Sequence, residues 1–189
     1  RAVILFSKSS RSFGVGADIK DWGSLEPIEM WRTWTRHGHR IMKAVDDLIH
    51  PVIAVVNWHS YCGSLELALA ADLRIGEVGS RYGFPEALVG TIPGWFGTHK
   101  AQQLIGPSRL KKLIFTAVPI SAEEALEIGL LDELVPAGEG LDKARELAAL
   151  IEKNIDVGQG LGGILKLYFT GNGCILTEDQ TGKQDKCNG

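Results

Sequence analysis

Two carboxylates and a glycine-bearing turn define the chemistry open to this sequence. Glu66 falls in the first turn of a run of good helix formers, Leu65-Glu66-Leu67-Ala68-Leu69-Ala70-Ala71-Asp72, where a helix that only packed would carry an apolar residue. Glu86 follows Pro85 in Tyr82-Gly83-Phe84-Pro85-Glu86. Ahead of Glu66 stand the β-branched stretch Pro51 to Asn57 and the turn Trp58 to Ser64, which contains Gly63. A strand, a glycine-bearing turn and a helix start aim free backbone N–H groups, reinforced by the helix dipole, at one point in space. Two acids beside such donors fit acid–base chemistry on a carbonyl compound. Held close, paired carboxylates have their pKa values pushed apart, so that one can take a proton while the other delivers one.

The same local order occurs earlier. Ala2 to Phe6 reads as a buried strand, Ser7 to Gly16 as a small-residue loop, and Ala17 to Trp22 as one or two helical turns. Ala17 could therefore offer a backbone N–H as Gly63 does.

The elements that must position these groups are short strands interleaved with helices, an α/β order without a solenoid repeat. Pro51 to Asn57 reads as a strand covered on both faces. The apolar spacing from Pro27 to Ile49 predicts one long helix, with Pro27 in its first turn. His37 and His39 lie two apart within it and so face different ways, which does not make a shared metal site. Leu73 to Gly76 and Gly79 to Gly83 read as a strand and a strand edge. Ala87 to Gly97 is a breaker-rich apolar loop that would line a cleft. A helix from about Thr98 stops at Gly106 and restarts at Pro107 through Phe115. Ser121-Ala122-Glu123-Glu124 is a capping box opening a helix that ends at Gly129, and Leu131 to Val135 returns to the sheet. Leu141 to Asn154 is an amphipathic helix with Leu147, Leu150 and Ile151 on one face. Beyond it only Ile164 to Phe169, in a glycine-crowded tail, has the composition for regular structure.

The bulk properties narrow the partners. A chain of 189 residues with 44% hydrophobic and 23% charged content is ordinary for a globular domain with a sizeable core. A net charge of −3 without a basic stripe gives no reason to bind nucleic acid. No apolar run reaches the roughly 20 residues that span a bilayer, so no membrane partner is expected. Cys62, Cys174 and Cys187 lack metal-ligand spacing, which predicts no metal and favours a reducing compartment such as the cytoplasm, although a targeting segment could precede Arg1.

Taken together, these residues resemble the crotonase, or enoyl-CoA hydratase/isomerase, superfamily. The matching pieces are Ser12 to Ile19, Pro51 to Asn57, Gly63 with Leu65 to Ala68, Ala71 to Ile75, Phe84-Pro85-Glu86, Gly90 to Gly94, and Ile120 to Leu130. They run over about residues 1–153 in the family's order, and many colinear motifs carry far more weight than any one of them. The resemblance implies an α/β, ClpP/crotonase-type spiral of ββα units with C-terminal helices, entered partway, with the family's first strand–turn unit missing. It implies a core over 1–136 and a C-terminal helical, oligomerising region over 137–189, assembling as a homotrimer or a dimer of trimers. It further implies an oxyanion hole from the N–H groups of Ala17 and Gly63, and catalytic acid–base roles for Glu66 and Glu86. Gly16, Asp18, Ile19, Trp58, Tyr61, Pro85 and Gly94 would contact substrate, with the Gly94 N–H helping to hold the reacting water. The implied activity is enoyl-CoA hydration, with CoA entering only as part of the substrate and no other cofactor. The alternatives are an isomerase, an acyl-CoA or carbon–carbon bond hydrolase using His59 or His99 as base, and a non-catalytic acyl-CoA-binding relative.

Four positions depart from the family pattern. Trp58, Cys62, Ser64 and Phe96 stand where it usually has Gly. Glycine there permits close backbone approach or unusual dihedrals, so the two aromatic residues predict either a reshaped pocket or a displaced turn.

Overall fold

The computed structural model describes residues 2–18, 20 and 23–156, together with the backbone of Tyr168–Phe169 and Ile175–Leu176, which pair antiparallel. Two four-stranded sheets carry the fold. The first orders β1 (Val3–Phe6), β3 (Val52–Val56), β5 (Leu73–Glu77) and β8 (Glu133–Val135), all parallel. The second orders β2 (Ser12–Gly14), β4 (His59–Tyr61), β6 (Arg81–Gly83) and β7 (Ile120–Ser121), parallel except that β7 runs against β6. The chain alternates between the sheets, β1 to β2, β3 to β4 and β5 to β6, and returns through helical structure, the third time by way of β7. That is the spiral of ββα units the motifs imply.

Two stretches differ from the sequence reading. The loop Ser7 to Gly16 contains β2, and the turn Trp58 to Ser64 contains β4. Each strand is only three residues long, with at most one large aromatic side chain flanked by small or polar ones. What makes them strands is lateral pairing in the second sheet, not apolar periodicity.

The long helix α1 spans Pro27–Glu29, Met30–Thr35 and Arg36–Asp46, the middle segment being π-helical. A π segment is rare and tends to sit at functional sites. Helix α2 is Gly63–Ala70. Helix α3, Gly97–Thr116, is broken where expected: Gly106 has φ +77° and ψ 161°, immediately before Pro107. Helix α4, Ala122–Glu127, is capped by Ser121, whose Oγ accepts from the Glu124 N–H at 3.2 Å. Helix α5 is Gly140–Asp156.

Strand β3 is buried along its whole length, as its unbroken apolar run requires. Val52, Ala54 and Val56 face the main core with Leu65, Leu69, Phe84 and Ala101. Ile53 and Val55 join Ile75 under α5, against Ala144, Leu147 and Ile151. Leu150, expected on that face, is 54% exposed. Each fully buried branched side chain contributes about 1.5–3 kcal/mol.

Three polar links, each with a buried partner, tie the layers together. Asp72 Oδ2 accepts from the Val52 N–H at 2.8 Å. The Arg74 guanidinium donates to Asp132 Oδ2 at 2.7 Å and to the carbonyls of Leu130 and Ala71. The Glu77 carboxylate accepts from the N–H groups of Gly138 and Gly140 at the start of α5, at 2.9 and 3.0 Å.

Among the described residues, no helix is long and apolar enough to cross a membrane, and no cluster of His, Cys, Asp and Glu could hold a metal. The expected turns at Ala17 to Trp22 lie partly outside the described residues, and so does most of Ile164 to Phe169. Cys174 and Cys187 lie wholly outside them.

Candidate active site

Strand β4 delivers the chain to Tyr61, and Cys62 then turns it sharply into α2 with φ 51° and ψ −134°. Ser64 braces the turn, its Oγ donating to the Tyr61 carbonyl at 2.6 Å. Gly63 is the first residue of α2, where a backbone N–H has no acceptor within the helix. Ala17 approaches the same cleft from the segment after β2, and both line it.

Glu66 sits one turn into α2 and is 3% exposed. Its Oε1 accepts two backbone hydrogen bonds, from Trp95 at 2.8 Å and Gly97 at 2.7 Å. A Cβ on Gly97 would lie 2.5 Å from Glu66 Cγ, so only glycine lets the backbone come this close. Burial raises the Glu66 pKa, and the two amides oppose that by stabilising the charge.

Glu86 is the second residue of a 3-10 turn, Pro85–Val89, and is 6% exposed. Its Oε2 is buried without a hydrogen-bond partner among the described residues. Burial, with the charge of Glu66 behind it, pushes its pKa up to about 7, while its own backbone N–H and the Cys62 thiol work the other way. The Cys62 thiol is in turn pushed up to about 12 by burial and by both glutamates.

The cleft is about 110 Å³ and brings together Ala17, Gly63, Glu66, Glu86 and Gly94 of the residues singled out in the sequence. It therefore gathers two carboxyls of unlike hydrogen-bonding beside Ala17 and Gly63.

The other candidates lie elsewhere. Gly16 has φ +93° and packs on Cys62, whose Cβ would be 2.5 Å from any side-chain carbon there. Asp18 is exposed and accepts from the Lys20 N–H at 2.9 Å. Ile19 is outside the described residues. Tyr61 stacks on His59 at 5.6 Å, and Pro85 begins the 3-10 turn. Trp58 lines a separate depression with Ser7 to Ser10 and Asn57, so its indole does not enter the cleft.

Phe96, with φ 104°, holds the left-handed conformation for which glycine is the natural residue. Its ring sits against His39, His99 and Lys100, with centroids 6.2 and 5.3 Å from the two histidines. It too leaves the cleft open. Neither His59 nor His99 lines the cleft.

Residues not singled out as functional form much of the wall: Met30, Trp34 and Thr35 from α1, and Ile92 and Trp95 from the loop before α3. The breaker-rich loop was expected to line a cleft. Of the α1 residues, Trp34 reads from the sequence only as part of a packing stripe and Met30 and Thr35 stand outside it, because nothing local signals the π segment.

A profile of the family described as "Enoyl-CoA hydratase/isomerase" matches residues 1–161. The chain is 38% identical over 156 residues to a short-chain-enoyl-CoA hydratase of Clostridium acetobutylicum, covering 82% of this chain and 59% of that protein. It is 34% identical over 149 residues to a crotonyl-CoA hydratase of Syntrophomonas wolfei, covering 79% and 57%. Among solved structures, an enoyl-CoA hydratase from Bacillus anthracis superposes with a TM-score of 0.74 at 38% identity, covering 79% of this chain and 57% of that one. The chain thus spans a little under three fifths of the length of these curated relatives.

Proposed function

The chain belongs to the enoyl-CoA hydratase/isomerase family, and from that premise we propose that it adds water across the conjugated double bond of a 2-enoyl-CoA. The observation that carries this reading is the pair of buried carboxyls, Glu66 and Glu86, facing one cleft with unlike hydrogen-bonding.

The thioester oxygen accepts from the Ala17 and Gly63 N–H groups, which stabilise the enolate charge that builds there by about 3–4 kcal/mol each. Glu66, whose charge two amides stabilise, takes a proton from water as the water oxygen bonds to the β-carbon. Glu86, the protonated partner below about pH 7, delivers a proton to the α-carbon. The Gly94 N–H holds the attacking water. Two carboxyls favour hydration over double-bond migration, which needs only one. The hydrolase alternative loses its motive, since both histidines lie off the cleft.

On this reading CoA enters only as part of the substrate, the assembly is a trimer or dimer of trimers, and the compartment is a reducing one. Loss of conjugated absorbance on adding crotonyl-CoA tests the activity, and unchanged turnover in Glu66→Gln and Glu86→Gln would overturn it.

A further inference from the structure

Trp95 lines the cleft, and its indole is seated in a slot built for it. A Cβ on Gly38 of α1 would lie 2.1 Å from the pyrrole edge of that ring, and a Cβ on Gly63 would lie 2.5 Å from its benzo edge. The indole therefore bridges the gap between α1 and the start of α2, resting on two positions that have no side chain. Trp34, also on α1, packs on it at 5.3 Å with the planes tilted by 41°. Met30, one turn before Trp34, adds a third large side chain to the same wall.

An acyl group whose carbonyl sits at Gly63 thus meets an aromatic wall at once. The remaining volume, about 110 Å³, is smaller than the roughly 150 Å³ cavity that admits the six carbons of benzene.

We propose that Trp95, backed by Trp34, is the specificity-determining residue that restricts the cleft to short acyl thioesters of about four carbons, a volume limit set by comparison with known cavities. The inference rests on the acyl-thioester reading above and deepens it. Trp95 serves the site in two separable ways. Its backbone N–H holds Glu66 Oε1, while its side chain closes the pocket, so truncating the side chain leaves the carboxylate's hydrogen bond available.

The test is isothermal titration of the full chain with butyryl-CoA and octanoyl-CoA, saturated thioesters that are not hydrated. The unmodified protein is expected to bind butyryl-CoA at least about tenfold more tightly, the reverse of the order that apolar burial alone dictates. Trp95→Ala should strengthen octanoyl-CoA binding about tenfold and change butyryl-CoA binding less than about threefold, since only the longer chain gains buried surface. Should Trp95→Ala fail to fold by circular dichroism, Trp34→Ala is expected to shift the ratio in the same direction.

Equal affinity for both thioesters in the unmodified protein, or an unmoved ratio in the folded variants, would overturn the inference. Hydration of crotonyl-CoA together with a flat length profile removes this inference and leaves the hydratase reading standing. A graded length profile without hydration does the opposite. No binding of either thioester removes both.

Discussion

Burial raises the proton affinity of Glu86 and the negative charge of Glu66 across the cleft adds to it, while two backbone amides oppose the burial of Glu66 by stabilising its charge. Glu66 is the carboxyl whose charge is hydrogen-bonded, and Glu86 is the one held toward its proton.

Hydration is expected to fall as pH rises through about 7, because Glu86 must carry its proton to deliver it. A kcat/KM profile for crotonyl-CoA checks this. Glu66→Gln and Glu86→Gln should each lower kcat by about 10²–10⁴-fold with little change in KM.

Stability should follow the same group. The Glu86 pKa is raised on folding, so the native state binds the extra proton. Stability therefore falls as pH rises from about 4.5 to about 7 and stays lower above that. Glu86→Gln removes the penalty. Its Tm should exceed that of the parent by a few degrees at about pH 8 and match it at about pH 5, as read by differential scanning calorimetry.

Gly97→Ala would place a carbon 2.5 Å from Glu66 Cγ, displacing either the carboxylate or the loop that holds it. A fall in kcat of about 10²-fold is expected from misplacing a reacting group by roughly an ångström. Steady-state kinetics alongside a circular dichroism spectrum separate this from unfolding.

Cys62→Gly should stabilise the fold by about 1 kcal/mol, because the positive φ at this position strains any residue with a Cβ. Urea denaturation measures it. In the native protein the Cys62 thiol, pushed up to about 12, should resist iodoacetamide at about pH 8 and react only on unfolding, as peptide mass spectrometry would show.

Arg74→Ala removes the partner of Asp132 and leaves the Leu130 and Ala71 carbonyls without their donor. Loss of about 1–3 kcal/mol is expected from leaving those buried carbonyls unsatisfied, Asp132 itself being 35% exposed, read from the urea midpoint at unchanged slope.

How legible all this was depended on what each element is made of. Strand β3 showed in the sequence because an unbroken apolar, β-branched run from Val52 to Val56 suits a strand covered on both faces and little else. The α4 cap showed because Ser121 and Glu124 carry it locally. Strands β2 and β4 did not show, since their three-residue spans are defined by neighbours far away in the chain. The motif residues Ala17, Gly63, Glu66, Glu86 and Gly94 could be picked out in order, and the structure gathers them on one cleft.

The aromatic residues at usual glycine positions misled for a physical reason. A residue type gives side-chain volume but not direction. Trp58 and Phe96 carry their rings away from the cleft, while Trp95, beside Phe96, points into it.

The π-helical segment Met30–Thr35 acts as a register adjuster. It contains Met30, Trp34 and Thr35, the three α1 residues on the cleft wall, so the wider turn decides which side chains look inward. A π turn holds more residues than the 3.6 of an α turn, so excising one there would restore ordinary winding and leave both flanking stretches of α1 close to their present facing. The change would fall on the side chains between Met30 and Thr35 while Arg36 to Asp46 kept its seat. A single-residue deletion could thus redraw the pocket without touching either glutamate, a route to altered selectivity that point substitution does not offer.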